Sequence, residues 1–289
     1  MSDTGGTQRF TAVVFGAGDH HTPTEQRPQP PRLHEGDGLT FGPLRATIVA
    51  LHRHPRLIEL QFEHSVAQVW EGLARHGRPI QYAYVPESLA VWDTWTCIAS
   101  RPVAFEAPSA GFVLDWAMLR AFRSRGVRFA TITHAAGISS TGDAELDRAL
   151  PFDEPYEIPV STAMAITDTT RRGGRVVAIG TTVVRALEDA VVDDGQVAAG
   201  AGRAAQRVGP DTDLRVADAI ISGRHESGSS HYELWRAFQQ DHMLESMTRE
   251  AEAAGYRAHE FGDALLISRA RVPRVLSISR MPAVGVNGS

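Results

Sequence analysis

The sequence predicts an α/β protein, α+β overall, built from a small β-rich unit and a mainly parallel α/β domain. Three observations carry this. Residues 176–179 (VVAI) form an unbroken apolar run of strand length, closed by Gly180 and followed by a helical pattern, as expected for a strand covered on both faces. From about residue 101 onward, strand-like and helix-like segments alternate, which βαβ units require. Before that point, short strands, turns and prolines dominate. The shift near residues 100–102 separates residues 1–100 from residues 101–270. The remainder, 271–289, holds two prolines and three arginines without periodicity and reads as a loose tail.

Taken in order, residues 10–15 read as a strand. Residues 16–31 carry too many prolines for a helix and read as an extended loop. Turns at 36–38 and 42–43 precede two alternating strands, 44–51 and 57–62. A helix over 64–76 places Val66, Val69, Trp70 and Leu73 on one stripe, and Gly77 ends it. Residues 77–86 are extended, and 103–105 form a short strand between prolines. A helix over 111–125 turns Leu114, Met118, Leu119 and Phe122 inward. Residues 127–133 are β-rich, 143–150 make a short helix, and 157–160 are extended. Ser161 or Thr162 caps a helix to Arg171. After the strand at 176–179, Thr181 or Thr182 caps a helix that carries Glu188 in its first turns. Residues 193–210, rich in Gly and Ala, read as a loop. A strand at 216–221, two helices over 232–254 that break near Asp241, and a strand at 264–267 complete the chain.

Composition narrows the class. The chain has 289 residues, 43% hydrophobic and 22% charged, which suits a soluble globular protein of one or two domains. A net charge of −5 gives no global attraction to nucleic acid. The single cysteine, Cys97, excludes an intrachain disulfide framework, fits a reducing cytoplasm, and reads as a core residue. No apolar run has membrane-spanning length, and residues 1–8 lack the apolar centre of a leader.

Gly16 and Gly18 follow a strand, but a proline-rich loop stands where a dinucleotide-binding helix would open. Residues 107–111 (APSAG) lack the first glycine of a nucleophile elbow, although backbone N–H groups at that helix start suit an anion. The plainer role of Ser109 is a cap. His225, Glu226 and His231 match no zinc spacing, so no metal is expected. His259, Glu260 and Asp263 gather three titratable groups fit for proton transfer, or for a simple turn. Arg120, Arg123, Arg125 and Arg128 make a basic patch whose plainer reading is a solvated helix face.

Residues 176–188 (VVAIGTTVVRALE) resemble the S-adenosylmethionine:tRNA ribosyltransferase-isomerase family of queuosine biosynthesis. Residues 77–85 (GRPIQYAYV), 103–112 (VAFEAPSAGF), 131–137 (TITHAAG, against the family's T-L-H-V-G-x-G-T-F), 154–158 (EPYEI) and 256–267 (YRAHEFGDALLI) resemble further family segments in the same order. The family histidines fall on Val113 and Thr133, with His134 adjacent to the latter. The family's T-N-F-H-L-P stretch falls on residues 222–231, where His225 keeps the histidine. The resemblance implies an α/β domain with an inserted β-barrel, here the barrel-like 1–100. By the resemblance the chain is expected to begin inside that insertion, leaving the α/β sheet an edge that a homodimer can cover.

The resemblance also implies S-adenosylmethionine as ligand, bound between barrel and α/β domain. Gly180, Thr181, Thr182 and Arg185 are then expected around it, Arg185 pairing with its carboxylate. Ala107, Pro108, Ser109 and Gly111 form a second wall. His225, His134 and Glu260 are the acid/base candidates. The simpler role for Arg185 is an ion pair with Glu188. The acidic composition and the replaced family histidines favour a small-molecule acceptor or an intramolecular reaction, with tRNA, the family's acceptor, beside them. Two alternatives stand beside this: an enzyme that uses S-adenosylmethionine intact, and a non-catalytic, partner-dependent member.

Overall fold

The structure, a computed structural model, describes residues 9–81, 83, 85–100, 106, 108–138, 140–192, 195–258 and 261–269. The expected tail at 271–289 and the strand at 103–105 lie outside them.

Alternation along the first strands produces one antiparallel sheet. It comprises β1 (Arg9–Val13), β2 (Gly38–Phe41), β3 (Leu44–Leu51) and β4 (Leu57–Phe62), in the order β1-β4-β3-β2. Leu44, Ala46 and Ile48 of β3 share a buried face with Ile58, Leu60 and Phe62 of β4. Helix α1 (Val66–His76) covers that face through Val69. A capping box fixes where α1 starts, with Ser65 accepting from the Gln68 N–H and the Gln68 side chain accepting from the Ser65 N–H. Gly72 lets α1 lie close on the sheet, since a Cβ there would stand 2.7 Å from Leu44. The segment between the two predicted turns is strand β2. β1 and β2 do not pair with each other, so the described sheet is open and the expected barrel is not closed.

The chain continues through α2 (Trp116–Ser124), β5 (Thr133–His134), α3 (Ala144–Ala149), β6 (Glu154–Ile158), α4 (Val160–Arg171), β7 (Val177–Ile179), α5 (Thr181–Asp189), β8 (Gly200–Ala204), β9 (Ala219–Gly223), α6 (Ser230–Trp235), α7 (Asp241–Ala253) and β10 (Ala264–Ser268). These strands form two three-stranded sheets, β10-β9-β7 and β5-β6-β8. Only β7 and β9 pair in parallel; every other described pairing is antiparallel. The mainly parallel sheet is thus corrected to a mixed α+β arrangement with one βαβ crossover, made by α5. Strand β8 hides in the Gly/Ala-rich run because Gly202 lies under the Tyr156 ring, where a Cβ would stand 2.3 Å from the ring.

Helix starts differ from expectation for identifiable reasons. Asp115 accepts from the Met118 N–H at 2.6 Å, so α2 begins five residues late and leaves Met118 exposed. Pro159 precedes α4 without a side-chain cap. Thr162 instead donates to the Thr131 carbonyl at 2.7 Å. Gly180 occupies the N-cap position of α5, so neither Thr181 nor Thr182 caps it, and Glu188 falls in its last turn.

Two side-chain anchors join distant segments. Arg56, before β4, donates to the carbonyls of Val14 and Thr141 and pairs with Asp143 at 3.6 Å. The Glu188 carboxylate accepts from the N–H groups of Arg215, Val216 and Ala217 at 2.7–2.9 Å, binding α5 to the loop before β9. The main core packs Val184, Ile220, Trp235 and Leu244 between the β10-β9-β7 sheet and helices α5–α7. Among the described residues no helix is long and apolar enough to cross a membrane.

Candidate functional site

Two turns meet at the carboxyl end of β7. Gly180 adopts φ +98°, a conformation that disfavours any side chain, and its N–H bonds the Ile221 carbonyl at 2.8 Å. The chain therefore leaves β7 sharply and enters α5 at Thr181. A 3-10 turn, Ser109–Gly111, stands opposite, and a Cβ on Gly180 would come 3.6 Å from that of Ala110. Gly111 itself is confined, with Ile98 3.0 Å from any added Cβ. No side chain caps α5, so the backbone N–H groups of its first turn are left without intrahelical partners.

These turns border a cavity of about 1400 Å³. Its far wall is the antiparallel unit, through Phe10 of β1 and Trp70 of α1. The near wall includes Pro108, Ser109, Gly111, Gly180, Thr181 and Thr182, all expected from sequence. His134, His225 and His231 also reach it. Ala107 and Glu260 lie outside the described residues, as does His259. Asp263 serves a turn, its carboxylate accepting from the Arg257 N–H at 2.7 Å.

Arg185 departs from its expected place. It is 3% exposed and does not line the cavity. Its guanidinium meets Glu154 Oε2 at 2.5 Å and donates to the carbonyls of Phe152, Ala204 and Gln206 at 2.8–3.1 Å. It is therefore spent on protein acceptors rather than turned toward a ligand carboxylate. Nor does it pair with Glu188, whose carboxylate holds three backbone N–H groups. Its ion-pair partner is Glu154 on β6. Glu154 Oε1 accepts from the Gly137 N–H at 3.0 Å and from Thr182 at 3.5 Å. Burial lifts the Glu154 carboxyl above the ordinary carboxylate range, while Arg185 and the Gly137 N–H pull it back. Arg185 and Glu154 thus fix β6, α5 and the Gly137 loop behind the cavity wall.

The three histidines sit differently. His134 ends β5, and burial holds its pKa down to about 4. Its Nδ1 is buried with no hydrogen-bond partner among the described residues. His225 follows β9 and is 9% exposed. His231 on α6 stacks flat against it, with ring centroids 4.3 Å apart and planes 12° apart. Burial, aided by the Arg185 charge, holds His231 to about 4 as well. Both His134 and His231 are therefore neutral near pH 7, offering one N–H and one lone pair each.

Glu154 and His231 were not among the expected site residues. Glu154 opens one of the resembling segments, and that was its signal. His231 precedes Trp235 by four residues on one helix face, which marked the pair as facing inward together.

Comparison with known proteins identifies the family. The sequence model of the family described as "Queuosine biosynthesis protein" matches residues 12–267. The chain is 33% identical over 261 residues to S-adenosylmethionine:tRNA ribosyltransferase-isomerase of Acaryochloris marina, covering 87% of this chain and 69% of that protein. It is 39% identical over 175 residues to the enzyme of the same name from Gloeobacter violaceus, covering 60% of this chain and 50% of that one. The crystal structure of S-adenosylmethionine tRNA ribosyltransferase from Thermotoga maritima aligns with 82% of this chain and 66% of its own, at 22% identity and a TM-score of 0.46. The chain spans from half to three quarters of the length of the curated relatives it matches. With the family match running from β1 to β10 and through both turns of the cavity, the chain belongs to the queuosine biosynthesis protein family.

Proposed function

We propose that this protein is an S-adenosylmethionine-dependent ribosyltransferase-isomerase that binds its substrate in the cavity between the antiparallel unit and the Gly180 turn. The observation that carries the reading is the cavity itself, bordered by the Gly180–Thr182 and Ser109–Gly111 turns and by three histidines. Ligand pockets commonly measure about 300–1,000 Å³. A volume of about 1400 Å³ therefore gives room for a nucleoside and for part of an acceptor.

The open N-terminal turn of α5 suits the carboxylate of the methionine portion, in place of Arg185. The Thr181 and Thr182 hydroxyls suit the ribose. The sulfonium acidifies the adjoining ribose carbon, and a base takes a proton there. Adenine departs with the electron pair of its bond to ribose and takes up a proton. The ribosyl group joins the acceptor and methionine leaves. His225 is the proposed proton-transfer group, and the neutral His134 supplies hydrogen bonds rather than charge.

The relatives' names specify tRNA, and we take RNA as the acceptor. Exposed Arg120 and Arg123 beside exposed Trp116 on α2 are the kind of cationic and aromatic surface that RNA binding uses. Binding to tRNA is then expected to weaken steeply with salt. Salt-insensitive or absent binding would return the acceptor to a small molecule. The test of the main reading is calorimetric titration with S-adenosylmethionine, followed by mass analysis for adenine and methionine. Binding and release are expected in the wild type, and loss of binding in Thr181→Val/Thr182→Val. Unchanged binding in that variant would overturn the ligand placement.

A further inference from the structure

His225 is held on two sides by one helix. His231 and Trp235 are four residues apart on α6 and therefore share a face. The His225 ring lies in the notch between them. It is parallel to the His231 ring at 4.3 Å and inclined 55° to the Trp235 ring at 5.5 Å. Trp235 is fully buried, so that side of the notch is fixed by the core. The other side depends on His231.

The loop between the two histidines is also tied down. Ser229 donates to the Glu226 carbonyl at 2.8 Å and accepts from the Tyr232 N–H at 3.2 Å. One hydroxyl thus closes the turn after His225 and caps the helix that carries His231. Backbone and side chain together leave His225 little freedom to rotate away from the cavity.

We propose that His231 is a positioning residue, the wall that holds the His225 imidazole in the orientation from which it exchanges a proton with the bound ligand. This rests on the functional reading above. The chemistry of the stack favours the assignment. A flat, uncharged ring against His225 leaves room for His225 to take up a proton, because the face of a neutral aromatic ring attracts a cation. A second cation there would repel it. His231 stays neutral because it is buried and because Arg185 on α5 adds a positive potential. His134 of β5 also borders the cavity, and burial keeps it neutral as well.

The experiment compares His231→Ala, which removes the ring, with His231→Phe, which keeps a flat neutral ring without nitrogens. Thermal melts and S-adenosylmethionine titration confirm folding and ligand binding in each. For adenine release, His231→Ala is expected to lower kcat roughly 10- to 100-fold, the scale that small misplacements cost. KM should stay within about twofold, and His231→Phe should recover most of kcat. Unchanged kcat in His231→Ala would overturn the proposal. Equal damage in His231→Phe would overturn it too, since the nitrogens rather than the stack would then matter. A second readout needs no turnover: the Cε1–H resonance of His225 in histidine-labelled protein. The facing ring should displace it in the wild type, and the displacement should vanish in His231→Ala. A wild type that releases no adenine would count against the functional reading alone, while this resonance would still decide the positioning role.

Discussion

Replacing Arg185 by methionine separates two roles that the sequence alone cannot. In the structure Arg185 and Glu154 are 3% and 6% exposed and meet each other deep behind the cavity wall. Methionine keeps most of the length and none of the charge. It leaves the Glu154 carboxylate with only the Gly137 N–H and Thr182, and strips a donor from the carbonyls of Phe152, Ala204 and Gln206. Removing one partner of a buried pair costs about 3–5 kcal/mol. At roughly 2–4 °C per kcal/mol for a large domain, the melting temperature should fall by about 6–20 °C. Because Arg185 does not line the cavity, the fraction still folded at 10 °C should bind S-adenosylmethionine within about threefold of wild type. The assays are a thermal melt and a low-temperature calorimetric titration. A variant that melts like the wild type but binds more than tenfold weaker would refute the reasoning and restore Arg185 as the ligand's carboxylate partner.

Two further outcomes follow from the same geometry. His134 and His231 are held at about 4, below their unfolded value near 6.5, so the unfolded chain binds more protons between those values. Their contribution to stability is complete above pH 6.5 and is lost as the pH falls toward 4, at roughly 1.4 kcal/mol per pH unit for each group. Denaturant melts across that range should show the slope, and His134→Phe should flatten it; an unaltered slope would contradict the burial assigned to His134. Gly180→Ala forces a side chain to φ +98° and should cost about 1–3 kcal/mol, measured by urea unfolding, with ligand binding weakened alongside.

Strong period-two alternation with turns at both ends made β3 and β4 readable to the residue, and Gly77 marked the end of α1. Strand β8 was unreadable because Gly202 serves the Tyr156 ring, a contact no local pattern records. Its neighbours in space come from elsewhere in the chain, which also hid the antiparallel character of most pairings. At the site, the Gly180 turn and the Pro108–Gly111 segment were legible because backbone geometry is written in glycine and proline. The pairing of Arg185 with Glu154 was not legible, since the two are 31 residues apart and only packing brings them together. His231 was seen without its stack on His225, because a ring-to-ring contact across a loop leaves no spacing rule behind.

The Arg56 anchor bears on how the cavity comes into being. Arg56 bonds the Thr141 carbonyl across 85 residues, and the cavity's two walls likewise come from distant stretches of the sequence, near Phe10 and near Thr181. Contacts of such separation are entropically late, because the intervening chain must be closed before they contribute. Local units such as the β3–β4 hairpin with α1 should therefore form before the cavity does. Ligand binding then serves as a reporter of completed folding: a refolding experiment should recover sheet and helix signals first and S-adenosylmethionine affinity last.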